Sequence, residues 1–317
     1  MDLKKFIKMV NAGTPFSGSM KFNEPMYAHT TFKTGGPADL WIRPRKQIFP
    51  FWTAALLMAA RAEGIPVFVL GEGANILVSD RGIRGIVLDT GSWRGVGKRE
   101  EREEGDAAFS IKVLSGSSAE EMTEHLAARG LSGLEFLAGM PGSVGGALWM
   151  NARCYEKSIS DVLLETEILD ENYNIVTLPF RAEDFSYKKS PFQTRKVLIL
   201  AARFCVKFRN VRDIRKEMAE HHRDRQEKGH YRYPSAGSVF KNNHNFGAPT
   251  GKIIGDLGLR GLSHGKALVA SWHGNLIVNS GGASSSDIRS LIDEVAKRVK
   301  EEKGFDLEPE ILFAGEW

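Results

Sequence analysis

Cysteine is scarce in this chain: Cys154 and Cys205 are the only two among 317 residues. They show neither metal-ligand spacing nor a redox CxxC pair, so a disulfide framework and a thiolate metal site are excluded, and both read as reduced, partly buried thiols. His264 and His273 have no metal partner at a recognisable spacing either, and no metal is expected. Long apolar runs are also missing. None approaches the ~18 residues of a membrane span, and the longest, Phe49 to Ala60, reads as a buried helix. The opening MDLKKFIKMV has no sustained apolar region or small-residue cleavage site, so no signal peptide is expected and the cytoplasm is the default. Charge of one sign is not concentrated. Lys and Arg number 43 against 39 Asp and Glu, a net charge of +4, and the richest basic stretch, HHRDRQEKGHYRYP, is interrupted by acids. That balance suits a small anionic ligand and gives no footprint for nucleic acid or membrane. A Walker lysine, a complete GxGxxG after a strand and a GxSxG elbow are all absent, which argues against a P-loop, a Rossmann dinucleotide site and a serine hydrolase.

What is present is the texture of a globular α+β protein. At 42% hydrophobic and 26% charged residues, the chain is long enough for two or three domains. The apolar helix near 51–62 stops at Gly64, and strands follow at Val67 to Leu70 and Gly85 to Asp89. Residues 97–106, GKREEREEGD, read as a solvated loop between domains or on a hairpin. Phe109 to Leu114 is strand-like, and Ser117 or Ser118 caps a helix ended by Gly130. Val162 to Leu169 and Ile175 to Leu178 flank a turn, and Val197 to Phe208 is a long β-rich run. A polar helix is predicted from Val211 to Lys228. The last helix, 287–303, has Ile288, Leu291, Ile292, Val295 and Val299 on one face, with Ser284 to Ser286 as candidate caps and Gly304 as the stop. The predicted division is 1–95, 96–209 and 210–317.

Two glycine-rich segments exceed what turns need, Gly71-Glu72-Gly73-Ala74-Asn75 directly after a strand and Gly139-Met140-Pro141-Gly142-Ser143-Val144-Gly145-Gly146, and Thr34-Gly35-Gly36-Pro37 adds to the signal. Successive amides in such loops form concave nests for phosphate oxygens, and the missing side chains admit a pyrophosphate. A different signal lies at Pro234 to Asn242, PSAGSVFKN, where a hydroxyl sits among small residues beside an aromatic ring and two polar groups. Gly237 gives the backbone the freedom to bring Ser238 to a ligand. A plain turn entering a strand would explain the same residues.

In order, HTTFKTGGPADL (29–40), GEGANILVSDRGIRGIVL (71–88), GMPGSVGGALWMNA (139–152), YKKSPF (187–192), PSAGSVFKN (234–242) and LEPEILFAG (307–315) resemble the UDP-N-acetylenolpyruvoylglucosamine reductase family, flavoenzymes of peptidoglycan precursor synthesis. The resemblance implies a vanillyl-alcohol-oxidase-like (PCMH-type) FAD-binding fold in two subdomains, 1–95 and 96–209, with a C-terminal substrate-binding domain, 210–317. It implies FAD as cofactor, held by Thr34, Gly35, Gly36, Gly71, Glu72, Gly73, Ala74, Asn75, Ile76, Gly139, Met140, Pro141, Gly142, Ser143, Gly145, Gly146 and Asn151, with backbone amides of 71–76 and 139–146 on the pyrophosphate. NADPH would reduce the flavin, and hydride would then pass to C3 of the enolpyruvyl ether of UDP-N-acetylglucosamine, leaving C2 to be protonated. A monomer in the cytoplasm is expected.

By the same resemblance Ser238 matches the proton donor, Glu310 the catalytic glutamate, Tyr187, Lys241 and Asn242 the substrate contacts, and Lys188 a catalytic cation. A hydroxyl is a weak acid, so Ser238 needs a cation or a water chain to help it. Glu310, kept protonated in an apolar pocket, could donate to the enolate. Arg223 and Arg225 read more readily as a solvated helix face than as phosphate contacts. The chain departs from the family at Lys188, where an arginine is usual, and at Leu268, where a glutamine is common. An ammonium offsets charge but cannot grip a carboxylate with two parallel bonds. A flavin- or nucleotide-binding protein with weakened or lost activity is therefore the alternative.

Overall fold

The computed structural model describes residues 2–102 and 109–317. The chain groups into two compact units: Met1–Lys21, Leu40–Glu72 and Gly85–His222 form one, and Phe22–Asp39, Gly73–Arg84 and Arg223–Trp317 the other.

Two cores build the first unit. In one, the helices Leu3–Gly13 and Phe49–Ala62 bury Phe6, Val10, Trp52 and Leu56 against Leu40, Ile42, Ile86 and Leu88. The sheet beneath runs Gly18–Pro25, Pro37–Pro44, Ile83–Asp89, Val67–Leu70, and its last pair is parallel. The other core lies on a sheet ordered Ile175–Pro179, Leu163–Leu169, Leu198–Phe208, Phe109–Leu114, Val96–Glu101, with antiparallel neighbours. Helices Ala119–Ala127 and Val144–Trp149 pack Met122, Leu126, Val144 and Leu148 onto Ile111 and Phe204. The charged segment expected as a loop is therefore strand as far as Glu101, with most of its side chains in solvent; residues 103–106 of it lie outside the described residues. Its lysine, arginine and glutamates are compatible with a sheet edge because they face water.

The second unit has the antiparallel order Ser235–Ser238, Leu276–Asn279, Ala267–Val269, Ser263–His264. The helix Ser285–Lys303 covers it with the predicted face, capped by a reciprocal Ser284–Asp287 box and ended by Gly304 at φ +73°. Asp80 adds a second cap by accepting the amides of Ser285 and Ser286 and the Ser286 hydroxyl. Phe32 and Leu77 join the same core. Strand Leu312–Ala314 pairs in parallel with Ile76–Val78, which brings the C-terminal motif beside the first glycine loop. Among the described residues no helix is long and apolar enough to cross a membrane.

Candidate active site

In the second unit PSAGSVFKN begins as a strand and then leaves its neighbour. Ser238 pairs with Leu276, with an irregularity in register after Ser235, and Gly237 takes φ +72°. Ser238 is half-buried, and its hydroxyl has no hydrogen-bond partner among the described residues. The next residues are held on both sides. Glu310 N–H donates to Val239 O at 2.7 Å and Lys241 N–H to Glu308 O at 2.9 Å, so the two motifs predicted to act together share one ladder. Glu310 is half-buried, and its carbonyl accepts from Asn75 Nδ2 at 3.0 Å. Lys241 pairs with Glu308 at 2.5 Å. Asn242 Oδ1 accepts Thr250 N–H at the start of the helix Thr250–Asp256. That oxygen is thus engaged within the fold.

The glycine loop enters the same unit at Gly73. There φ is +63°, and a Cβ would stand 2.1 Å from His29 O, so only glycine fits. Among the described residues the amides of Gly73, Ala74 and Asn75 donate to nothing, which leaves three successive N–H groups for an anion. Ile76, at the edge of burial, opens the following strand. Thr34-Gly35-Gly36 packs on Val78 to Gly82: a Cβ at Gly36 would lie 2.0 Å from Asp80 O, and one at Gly35 2.9 Å from Val78 Cβ. The Thr34 hydroxyl is buried without a partner, a polar group left for a ligand.

In the first unit Gly71 meets the other glycine loop, where its Cβ would stand 2.3 Å from Ser143 Oγ. Glu72 joins the two loops: one carboxylate oxygen accepts Gly142 N–H at 3.1 Å, and the other faces Arg94 at 3.3 Å. Gly139 donates to Glu120 and Met140 to Leu137, while Pro141 has no N–H to give. Val144 and Gly145 donate to Ser117 O and Ser115 O, and Gly146 to Ser143 Oγ. Most of this loop's amides are therefore used inside the fold, in contrast with those of 73–75. Gly145 is required by the loop's own packing, since a Cβ there would stand 2.9 Å from Ser115 Cβ. The Ser115 hydroxyl is buried and unpartnered, a position the sequence reading did not mark. Its signal was the hydroxyl run Ser115-Gly116-Ser117-Ser118 at a strand end, of which only Ser118 is needed as helix cap.

Tyr187 and Lys188 form the tip of a tight turn closed by Ser186 and Lys189, with Lys188 at φ +57°. Asn151 fixes that turn. It is 3% exposed, donates from Nδ2 to Ser186 O at 2.9 Å and accepts Ser160 N–H. Gln193 adds a bond to Lys188 O at 3.0 Å. Tyr187 is exposed and Lys188 half-buried. Arg223 is exposed, Arg225 half-buried, His264 exposed, and Leu268 half-buried beside the small core of Ala270, Leu276 and Val278. Within the second unit the three unpartnered amides and the lone Thr34 hydroxyl suit a phosphate group of the kind FAD carries, and within the first unit the Ser115 hydroxyl is a further unpartnered polar atom.

Comparison with known proteins gives the same reading. Residues 53–178 match the FAD binding domain family, and residues 229–314 match the UDP-N-acetylenolpyruvoylglucosamine reductase, C-terminal domain. The chain is 39% identical over 312 residues to UDP-N-acetylenolpyruvoylglucosamine reductase of Treponema denticola, covering 95% of each, and 39% identical over 301 residues to that of Caldanaerobacter subterraneus, covering 94% and 95%. The crystal structure of UDP-N-acetylenolpyruvylglucosamine reductase from Thermus caldophilus superposes with a TM-score of 0.74 at 30% identity, covering 94% of this chain and 99% of that one.

Proposed function

The chain belongs to the UDP-N-acetylenolpyruvoylglucosamine reductase family, and from that premise we propose that it reduces the enolpyruvyl ether of UDP-N-acetylglucosamine to UDP-N-acetylmuramate, with NADPH as hydride source, in cytoplasmic peptidoglycan precursor synthesis. The observation that carries the reading is the ladder joining Val239 to Glu310 beside the unpartnered hydroxyl of Ser238. Bound FAD would supply the hydride chemistry between NADPH and C3 of the substrate. The chain supplies the rest. Ser238 gives its proton to C2, completing addition of hydride and proton across the double bond. Glu310 donates to the developing enolate oxygen, and Lys188 offsets the negative charge there without the paired geometry of an arginine. Lys241 and Asn242 hold the diphosphate part, and Tyr187 lines the substrate.

For the cofactor, the amides of 73–75 would take phosphate oxygens, the Thr34 and Ser115 hydroxyls would offer further polar contacts, and the 139–146 loop would add backbone contacts. Residues 1–95 and 96–209 serve as the cofactor subdomains and 210–317 as the substrate domain. The protein works as a monomer on small molecules.

The test is the visible spectrum. Purified protein, reconstituted with FAD if necessary, is yellow, bleaches with NADPH and recovers its colour with the enolpyruvyl substrate. A protein that takes up no FAD, or whose reduced flavin the substrate leaves bleached, would sink the proposal.

A further inference from the structure

Asn275 lies in the turn Ala270–Asn275 between the strands Ala267–Val269 and Leu276–Asn279, 4% exposed, and spends almost every polar atom on one short segment. Its Oδ1 accepts Phe240 N–H at 2.9 Å, its Nδ2 donates to Phe240 O at 2.8 Å, and its backbone carbonyl accepts Val239 N–H at 2.9 Å. The side-chain amide thus acts as one more residue of an antiparallel strand at the point where the ladder from Ser238 to Leu276 ends. The same segment carries Glu310, through Val239 O, and Lys241, through Glu308 O. Thr250 closes its far end with bonds to Lys241 O and Asn242 Oδ1.

Asn275 is itself seated. Its N–H donates to His273 Nδ1 at 3.2 Å, which requires that nitrogen to be unprotonated. The turn is pressed on the helix Thr250–Asp256: a Cβ at Gly274 would stand 2.4 Å from Gly251 O, and one at Gly251 3.3 Å from both Asn275 Cβ and His273 Cε1. Two glycines make room for this contact. No other residue type replaces Asn275. Aspartate has no donor for Phe240 O, glutamine is one methylene too long, and alanine strands a buried N–H and C=O.

We propose that Asn275, anchored by His273, is a positioning residue for the reduction step, holding the main chain of 239–240 so that Ser238 and Glu310 keep their geometry toward the substrate. The inference rests on the reading given under Proposed function. A misplacement of about 1 Å at reacting groups costs on the order of 100-fold in rate, whereas NADPH oxidation makes no use of the Ser238 proton.

The experiment uses FAD-loaded full-length protein and rapid mixing of each half-reaction, together with amide hydrogen exchange at 239–240. In Asn275→Asp, exchange at these amides quickens, and reoxidation by the enolpyruvyl substrate slows about 10- to 100-fold, while bleaching by NADPH keeps its wild-type rate. In the Ser238→Ala background the same change costs less than in the wild type, because part of its effect passes through Ser238 and only the part through Glu310 remains. His273→Gln, which keeps the side-chain bracket, gives a smaller loss in the same half-reaction and stands in should Asn275→Asp fail to fold. Equal slowing of both half-reactions, a loss that simply adds to that of Ser238→Ala, or unchanged exchange at 239–240 overturns the proposal. If the substrate fails to reoxidise the wild-type protein, the functional reading itself falls, and this inference with it.

Discussion

On the proposed function, Lys188 is the residue at which the chemistry can be tuned most directly. Its turn is held from below by Asn151 through Ser186 O and by Gln193 through Lys188 O, backbone contacts that an exchange of the side chain leaves in place. An ammonium meets a carboxylate as a point charge, while a guanidinium adds a second parallel bond. Lys188→Arg is expected to speed substrate reoxidation by up to about tenfold, the equivalent of one charge-assisted hydrogen bond of roughly 1.5 kcal/mol. Single-turnover rates measure it, and an arginine variant no faster than wild type would show that Lys188 already does the whole job. Candidate residues of this kind can be named from the sequence because they sit in contiguous motifs: YKKSPF, PSAGSVFKN and LEPEILFAG single out Lys188, Ser238 and Glu310 as candidates without any fold. Asn275 cannot be named this way. Its partner Phe240 lies 35 positions upstream, and nothing in WHGN says which backbone the amide will meet.

At the scale of elements, legibility followed local self-sufficiency. The helix Ser285–Lys303 carries its own cap, apolar face and glycine stop, so its ends could be read directly. The strand Pro37–Pro44 begins and ends in proline and interrupts its apolar residues with Asp39 and Arg43. Within that strand the buried Asp89 carboxylate accepts from both Trp41 and Arg43, a partner that the local pattern does not announce. The glycine loops behave likewise. Both were visible in sequence as phosphate-binding candidates, but their division of labour depends on Glu72. Its carboxylate takes the Gly142 amide that an anion could have used, and so staples the two loops together. Glu72→Ala is expected to weaken FAD binding about 3- to 10-fold, the worth of roughly 1 kcal/mol for one such bond, and Glu72→Gln, which keeps an acceptor, to remain near wild type. Flavin fluorescence titration distinguishes them, and equal affinities for all three proteins would remove the staple from the account.

For the molecule as a whole, the near balance of acids and bases hides an acid-sensitive feature in the second unit. The His230 and His273 rings stand 6.0 Å apart. Burial, with Arg225, His273 and Lys228 nearby, pushes His230 from its ordinary 6.5 down to about 4. Burial, followed by Arg260 and Lys228, also lowers His273, against the effect of its own backbone hydrogen bond. A histidine lowered in the fold is charged more readily in the unfolded chain, so between pH 6.5 and about 4 the unfolded state binds more protons and stability falls with pH. Asp80 acts in a separate window. Burial raises its pKa, but the bonds from Ser286 and Ser285 outweigh this and leave it below the ordinary 3.8, so its contribution is lost only at lower pH. The melting temperature should therefore decline steadily from pH 6.5 toward 4, well before the carboxylate cap fails. His230→Asn should flatten that decline, because the unfolded chain then has one fewer proton to gain. Since protonated His273 can no longer accept the Asn275 N–H, the loss at 239–240 seen by hydrogen exchange should follow the same acid limb. A melting temperature level across this range in the wild-type protein would show that neither ring is held neutral by the fold.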